Sequence, residues 1–185
     1  MVKKVLLGFV GALVIVVVAV IALAATKPDS FRIERNIVIA ATPTAIYPNL
    51  EDFRRFGAWS PWEKLDPNLK RTFSGPEKGP GASYAWTGND AVGEGKMTIT
   101  DARPNERVEV RLEFLKPMEA TNKTVWALQP VGDGTRVTWS MEGPNSFAGK
   151  IFSVFADLDS MVGKDFENGL ANLKRISEAE ATAAK

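Results

Sequence analysis

The spacing of apolar residues changes period after Gly143-Pro144, and that change limits the folds open to this chain. Met97 and Ile99, then Val108, Val110, Leu112 and Phe114, then Trp126 and Leu128, then Val137, Trp139 and Met141 alternate with polar neighbours. A period of two marks strands with one buried face and one wet face. After Gly143-Pro144 the spacing becomes three and four, with Phe152, Phe155 and Leu158 leading into Met161, Val162, Phe166, Leu170, Leu173 and Ile176. That is the stripe of an amphipathic helix, which Gly163 and Gly169 weaken by about 1 kcal/mol each relative to Ala.

The alternation predicts strands over residues 95–101, 107–114, 120–129 and 135–141, separated by Arg103-Pro104-Asn105, Lys116-Pro117 and Gly132-Asp133-Gly134. Upstream, Phe31, Ile33, Ile37 and Ile39 fall at odd positions in a first strand. Thr42-Pro43 then caps a short helix over 43–50, a second short helix covers 52–56, and strands follow around Arg71-Thr72-Phe73 and Tyr84 to Trp86. Strand, two short helices, six strands and a long helix make an α+β domain. Its curved antiparallel sheet must cover its apolar face with the final helix, and a space left between them is where a ligand would go. Residues 179–185 read as a fraying tail.

The uncharged run from Val5 to Ala25, as a helix rising ~1.5 Å per residue, is roughly 31 Å long and matches a hydrocarbon core. Lys3 and Lys4 precede it and the first acid is Asp29, so the expected topology is N-in with the domain on the outer, periplasmic or extracellular side. Ala22-Leu23-Ala24 also fits a signal-peptidase site, which would give a secreted domain instead; the length of the apolar run favours an anchor. The expected organisation is therefore 1–25 anchor or signal peptide, 26–30 linker, 31–178 ligand-binding domain and 179–185 tail.

The chain has no cysteine and no histidine, which removes disulfides, thiol chemistry, the usual neutral-pH general base and the common zinc ligands. No metal or other cofactor is expected. The formal net charge is +1, from 23 basic and 22 acidic residues mixed along the chain, so nucleic acid is not an expected partner.

Several stretches resemble the START-like (SRPBCC) superfamily and its polyketide cyclase/dehydrase branch. They are Ile37 to Thr44, Trp59-Ser60-Pro61-Trp62, Gly81 to Trp86, Gly134 to Trp139 and Lys164 to Leu170. The resemblance covers residues 31 to about 177 and implies the helix-grip fold, a curved sheet around a long C-terminal helix. It also implies lipid carriage, hormone binding or cyclase chemistry without choosing among them. No catalytic set transfers residue by residue, so the catalytic residues stay unassigned.

The five tryptophans are the strongest functional feature, because large aromatic walls suit an apolar ligand. The expected ligand-binding residues are Trp59, Trp62, Tyr84, Trp86, Met97, Phe114, Trp126, Trp139, Met141, Phe155 and Phe166, with Trp59 and Trp62 guarding an entrance. Glu63, Glu119 or Asn122 would anchor a polar ligand group. The leading expectation is a membrane-tethered binder of a lipid or other hydrophobic small molecule, with residues 5–25 in the membrane. The rivals are an enzyme using a buried carboxylate with a tyrosine, for which Tyr84 and Asp101 are the inward-facing candidates, and an interaction domain with a filled core.

Overall fold

The computed structural model describes residues 2–183, with side chains from residue 8. Helix α1 (Val2–Ala25) precedes β1 (Ser30–Ile39), three one-turn helices α2 (Pro43–Ile46), α3 (Pro48–Glu51) and α4 (Phe53–Phe56), and strands β2 (Lys70–Ser74) and β3 (Ser83–Thr87). Strands β4 (Glu94–Arg103), β5 (Arg107–Lys116), β6 (Ala120–Val131) and β7 (Gly134–Pro144) follow, then helices α5 (Phe147–Phe155) and α6 (Leu158–Ala183). All seven strands form one antiparallel sheet in the order β1-β7-β6-β5-β4-β3-β2. The first strand thus closes against the last, α2 to α4 carry the chain to the far edge, and α6 packs on β1 and β7. This is the helix-grip architecture.

Three local features differ from the sequence expectation, each for a physical reason. The helix expected over 43–50 is two, because Pro48 has no N–H to continue α2 and instead opens α3 at its first position. The C-terminal stripe is broken at Ala156, which is extended at φ −136° and ψ 142°. Asp157 then accepts from the Ser160 backbone N–H at 3.2 Å and starts α6. Of the stripe residues around this break, Phe152, Phe155 and Met161 are exposed, and burial begins in earnest at Phe166.

The expected tail is helical as far as Ala183, and Ala184 and Lys185 lie outside the described residues. It is also docked. Glu180 accepts from the Asn49 amide at 2.9 Å, and Glu178, just before the tail, accepts from the Ala40 backbone N–H at 2.8 Å.

The inward faces of the strands meet Phe166, Leu170 and Leu173 of α6. The closest join is Trp139 of β7, whose ring lies on Phe166 with centroids 4.2 Å apart and planes 8° from parallel. Gly169, one turn on, makes this possible: a Cβ there would come within 2.7 Å of the Trp139 ring and 3.2 Å of Pro61. At the head of α6, Arg35 of β1 passes over Gly163 to reach Asp159 at 2.9 Å and Glu167 at 3.1 Å. The glycines that cost helix propensity therefore admit an indole and a guanidinium. Propensity alone favours Gly169→Ala by about 1 kcal/mol. Overpacking against Trp139 reverses the sign, and Gly169→Ala should lower stability by about 1–3 kcal/mol in urea unfolding followed by tryptophan fluorescence.

Candidate functional site

Between the sheet and the first turns of α6 lies a cavity of ≈ 290 Å³. The interior is thus not packed solid, as a filled interaction domain would require. The expected residues Trp62, Tyr84, Trp86, Met97, Phe114, Trp126, Trp139, Met141 and Phe166 all line it, with Phe56, Leu112 and Val162 completing the apolar wall. The strand pleat explains the convergence, since Tyr84, Met97, Trp126, Trp139 and Met141 all occupy inward positions of paired strands. Trp86 is pressed across the pair onto Gly95, where any Cβ would enter its ring.

Trp59 and Phe155 do not line the cavity. Trp59 is wholly buried rather than guarding an entrance. Its indole N–H donates to the Asn49 carbonyl at 3.0 Å, and its ring meets Phe56, Trp126 and Trp139 edge-on at 4.9, 5.4 and 5.3 Å. Phe155 sits on α5, 73% exposed, because the break at Ala156 turns α5 away from the stripe of α6. The cavity's depth is graded. Phe56, Tyr84, Met97, Trp126 and Trp139 are buried, whereas Trp62, Trp86, Val92, Phe114, Val162 and Asp165 are half-buried and Ala91 is exposed. The mouth is therefore on the side of the β3–β4 loop and the head of α6.

Apart from the half-buried Asp165 at the mouth, polar groups in the wall fall into two sets. Glu63 is buried: its Oε1 accepts a very short hydrogen bond from the Tyr84 hydroxyl, and its Oε2 is 2.6 Å from Arg71 Nε. Burial, followed by the hydrogen bond to Glu63, pushes the Tyr84 phenol far above its ordinary value, so Tyr84 remains a donor. The second set is unpaired. Ser60 Oγ, Thr124 Oγ1 and the indole N–H groups of Trp126 and Trp139 are buried with no hydrogen-bond partner among the described residues. All four residues line the cavity.

The other polar candidates lie elsewhere. Glu119 is exposed, and Asn122 is buried with its amide 3.8 Å from Met141 sulfur, outside the cavity lining. Asp101, expected to face inward, does not: a β-bulge between Ile99 and Asp101 shifts the register, so Asp101 pairs with Glu109 and binds Arg107 at 3.0 Å on the outer face. Sequence alternation carries no signal for such a bulge. Ser60 and Thr124 were not anticipated, since small hydroxyl residues read as ordinary strand and loop positions. No group of histidine, cysteine, aspartate or glutamate able to hold a metal ion occurs among the described residues.

A family model described as polyketide cyclase / dehydrase and lipid transport matches residues 30–178. The chain belongs to that family. No curated protein sequence matches it. Among solved structures, this family member is similar in fold to a protein of Chromobacterium violaceum, with 15% identity and a TM-score of 0.56 over 82% of this chain and 99% of that one. It is likewise similar to Aha1 of Colwellia psychrerythraea, solved as a dimer, with 20% identity and a TM-score of 0.58 over 80% and 96%. The di-domain aromatase/cyclase StfQ of the steffimycin biosynthetic pathway matches with 11% identity and a TM-score of 0.59, over 83% of this chain and 52% of StfQ. At these identities the likeness is one of fold.

The chain's two tyrosines, Tyr47 and Tyr84, are both raised by burial. A phenol whose pKa is higher folded than unfolded contributes stability below about pH 10, its unfolded value, and loses that contribution as pH rises further. Absorbance titration of the folded protein should show less tyrosinate at pH 10 than two ordinary phenols would give. Stability measured by urea unfolding should fall from pH 10 upward, and Tyr84→Phe should flatten that fall.

Proposed function

We propose that this protein is a membrane-tethered binder of a small, largely apolar molecule that carries hydrogen-bond-accepting oxygen, held between the sheet and α6. The observation that carries the reading is the composition of the cavity wall. Aromatic rings and methionines form its surface, and just beneath it Ser60, Thr124, Trp126 and Trp139 hold polar atoms that lack partners. Each buried group left without a partner costs about 1–3 kcal/mol, and an indole N–H can only donate. A ligand oxygen that reached those atoms after a small shift of the wall would recover that cost. At ~30 Å³ for a water-sized group, ≈ 290 Å³ holds roughly ten such groups, which suits a few-ring or single-chain molecule rather than a two-chain phospholipid. The family's description, with lipid transport beside cyclase and dehydrase, agrees with an apolar cargo.

The tether is supported by α1, whose stretch Gly8–Ala25 has a mean hydropathy of 2.9 and is almost wholly exposed. Its last turn is joined to the domain, with Ala24 fully buried, which favours a retained anchor over a cleaved signal. Lys3 and Lys4 on the N-terminal side favour an N-in orientation with the domain outside.

A second reading, an enzyme, is favoured by Tyr84 and Glu63 in the wall, with Arg71 behind them, because a buried carboxylate and a phenol are acid/base groups. Glu63 has each oxygen engaged and Tyr84, held protonated, spends its proton on Glu63, so the chain as built offers no free base. This ranks binding above catalysis.

Native mass spectrometry of the full-length chain, extracted gently from its host membrane, tests the reading. The expected result is a small oxygen-bearing adduct, identified after denaturation, that disappears in a Met141→Trp variant whose side chain fills the cavity. Wild-type protein free of any adduct would overturn it. Thr124→Val should leave the ligand-free protein as stable or about 1 kcal/mol more stable, and should weaken retention of the adduct about tenfold.

A further inference from the structure

The two ends of the sheet are chemically different. The pairings Ser30↔Pro144, Lys123↔Glu142, Phe114↔Ala120 and Glu94↔Lys116 place four features at one end: the start of β1, the end of β7, the β5–β6 tip and the β3–β4 loop. The β4–β5 and β6–β7 turns, with Arg103, Asn105, Glu106 and Asp133, lie at the other. Chain α1 arrives at the first end and α5 leaves from it, and the two are fastened together. The Asn145 backbone N–H donates to the Asp29 carbonyl at 2.8 Å, its side chain donates to the Pro28 carbonyl at 3.1 Å, and Lys150 binds the Asp29 carboxylate.

Helix α5 is inverted relative to a water-facing helix. None of its residues is buried, yet Phe152 is 49% and Phe155 73% exposed, one turn apart on one face. Its sole charged residue, Lys150, has a side chain only 13% exposed and is spent on Asp29. At the same end of the sheet, the β5–β6 tip exposes Leu115 at 54% and Met118 at 67%. An outward apolar face without charge, next to the end of a membrane-length helix, is the arrangement of an interfacial helix. The cavity's half-buried mouth residues Val92 and Phe114 belong to this same end.

We propose that α5 and the β5–β6 tip lie in the interfacial layer of the bilayer that α1 spans, so that the cavity opens onto lipid rather than onto bulk water. The proposal rests on the tether reading and adds to it a fixed orientation of the domain. A hydrophobic ligand would then enter from the membrane by way of the Val92 and Phe114 side.

The absence of cysteine makes the test direct, because single cysteines can be introduced into the full-length chain without background. Val14→Cys, Met118→Cys, Asp133→Cys and Phe155→Cys are each labelled with an environment-sensitive fluorophore. They are reconstituted in phosphatidylcholine vesicles with or without nitroxide-labelled phosphatidylcholine. The last three positions are at the surface, and far-UV circular dichroism confirms the fold of each. Blue-shifted emission and strong nitroxide quenching at Phe155 and Met118, with neither at Asp133, are the expected result. Quenching at Val14 with Phe155 and Met118 behaving like Asp133 would overturn the docking while leaving the tether intact. An unquenched Val14 label would overturn both.

Discussion

The stack of Trp139 on Phe166 is the joint on which the cavity depends. It holds α6 against β7 at one point, where Gly169 lets the helix come close to the indole and to Pro61. C-terminal to that joint, Leu170 and Leu173 are fully packed, and the helix closes the interior. N-terminal to it, Val162 and Asp165 stand off from β3 to β6, and the gap becomes a ligand-sized space. Arg35, gripping Asp159 and Glu167, sets how far the head of α6 can stand away. One side of the helix is thus sealed and the other left open, and the aromatic contact divides them.

The fold was legible because its determinants are periodic. Inward positions such as Val108, Val110, Val137 and Trp139 follow the pleat, and the shift to helical spacing marks α6. Cavity residues on strands inherited that legibility, since facing the core and facing the cavity are one direction along a strand. Residues off the regular lattice did not. Trp59 on a loop turned inward to the Asn49 carbonyl, Asp101 was rotated outward by a bulge, and Phe155 left the stripe when the chain broke at Ala156. Each depends on a backbone irregularity that side-chain spacing does not encode.

Glu63 marks a related limit. Its burial follows from two partners distant in the chain, Tyr84 and Arg71, brought together by the β2–β3 pair against the loop after α4. A lone glutamate beside a tryptophan loop is ordinarily solvated. Only the folded arrangement reveals that its carboxyl is met by a guanidinium and a phenol, leaving a polar seam in a largely apolar wall.

The segment between α1 and β1 runs only from Thr26 to Asp29, and its end is bonded to Asn145 and Lys150. Even fully stretched, so few residues reach about 14 Å. A leash this short allows no excursion: the domain is mounted on the end of α1 rather than trailing from it. On the proposed reading of α1 as a membrane tether, cargo could change hands only at that surface, and carriage across a gap to a second membrane would require another protein to come to it.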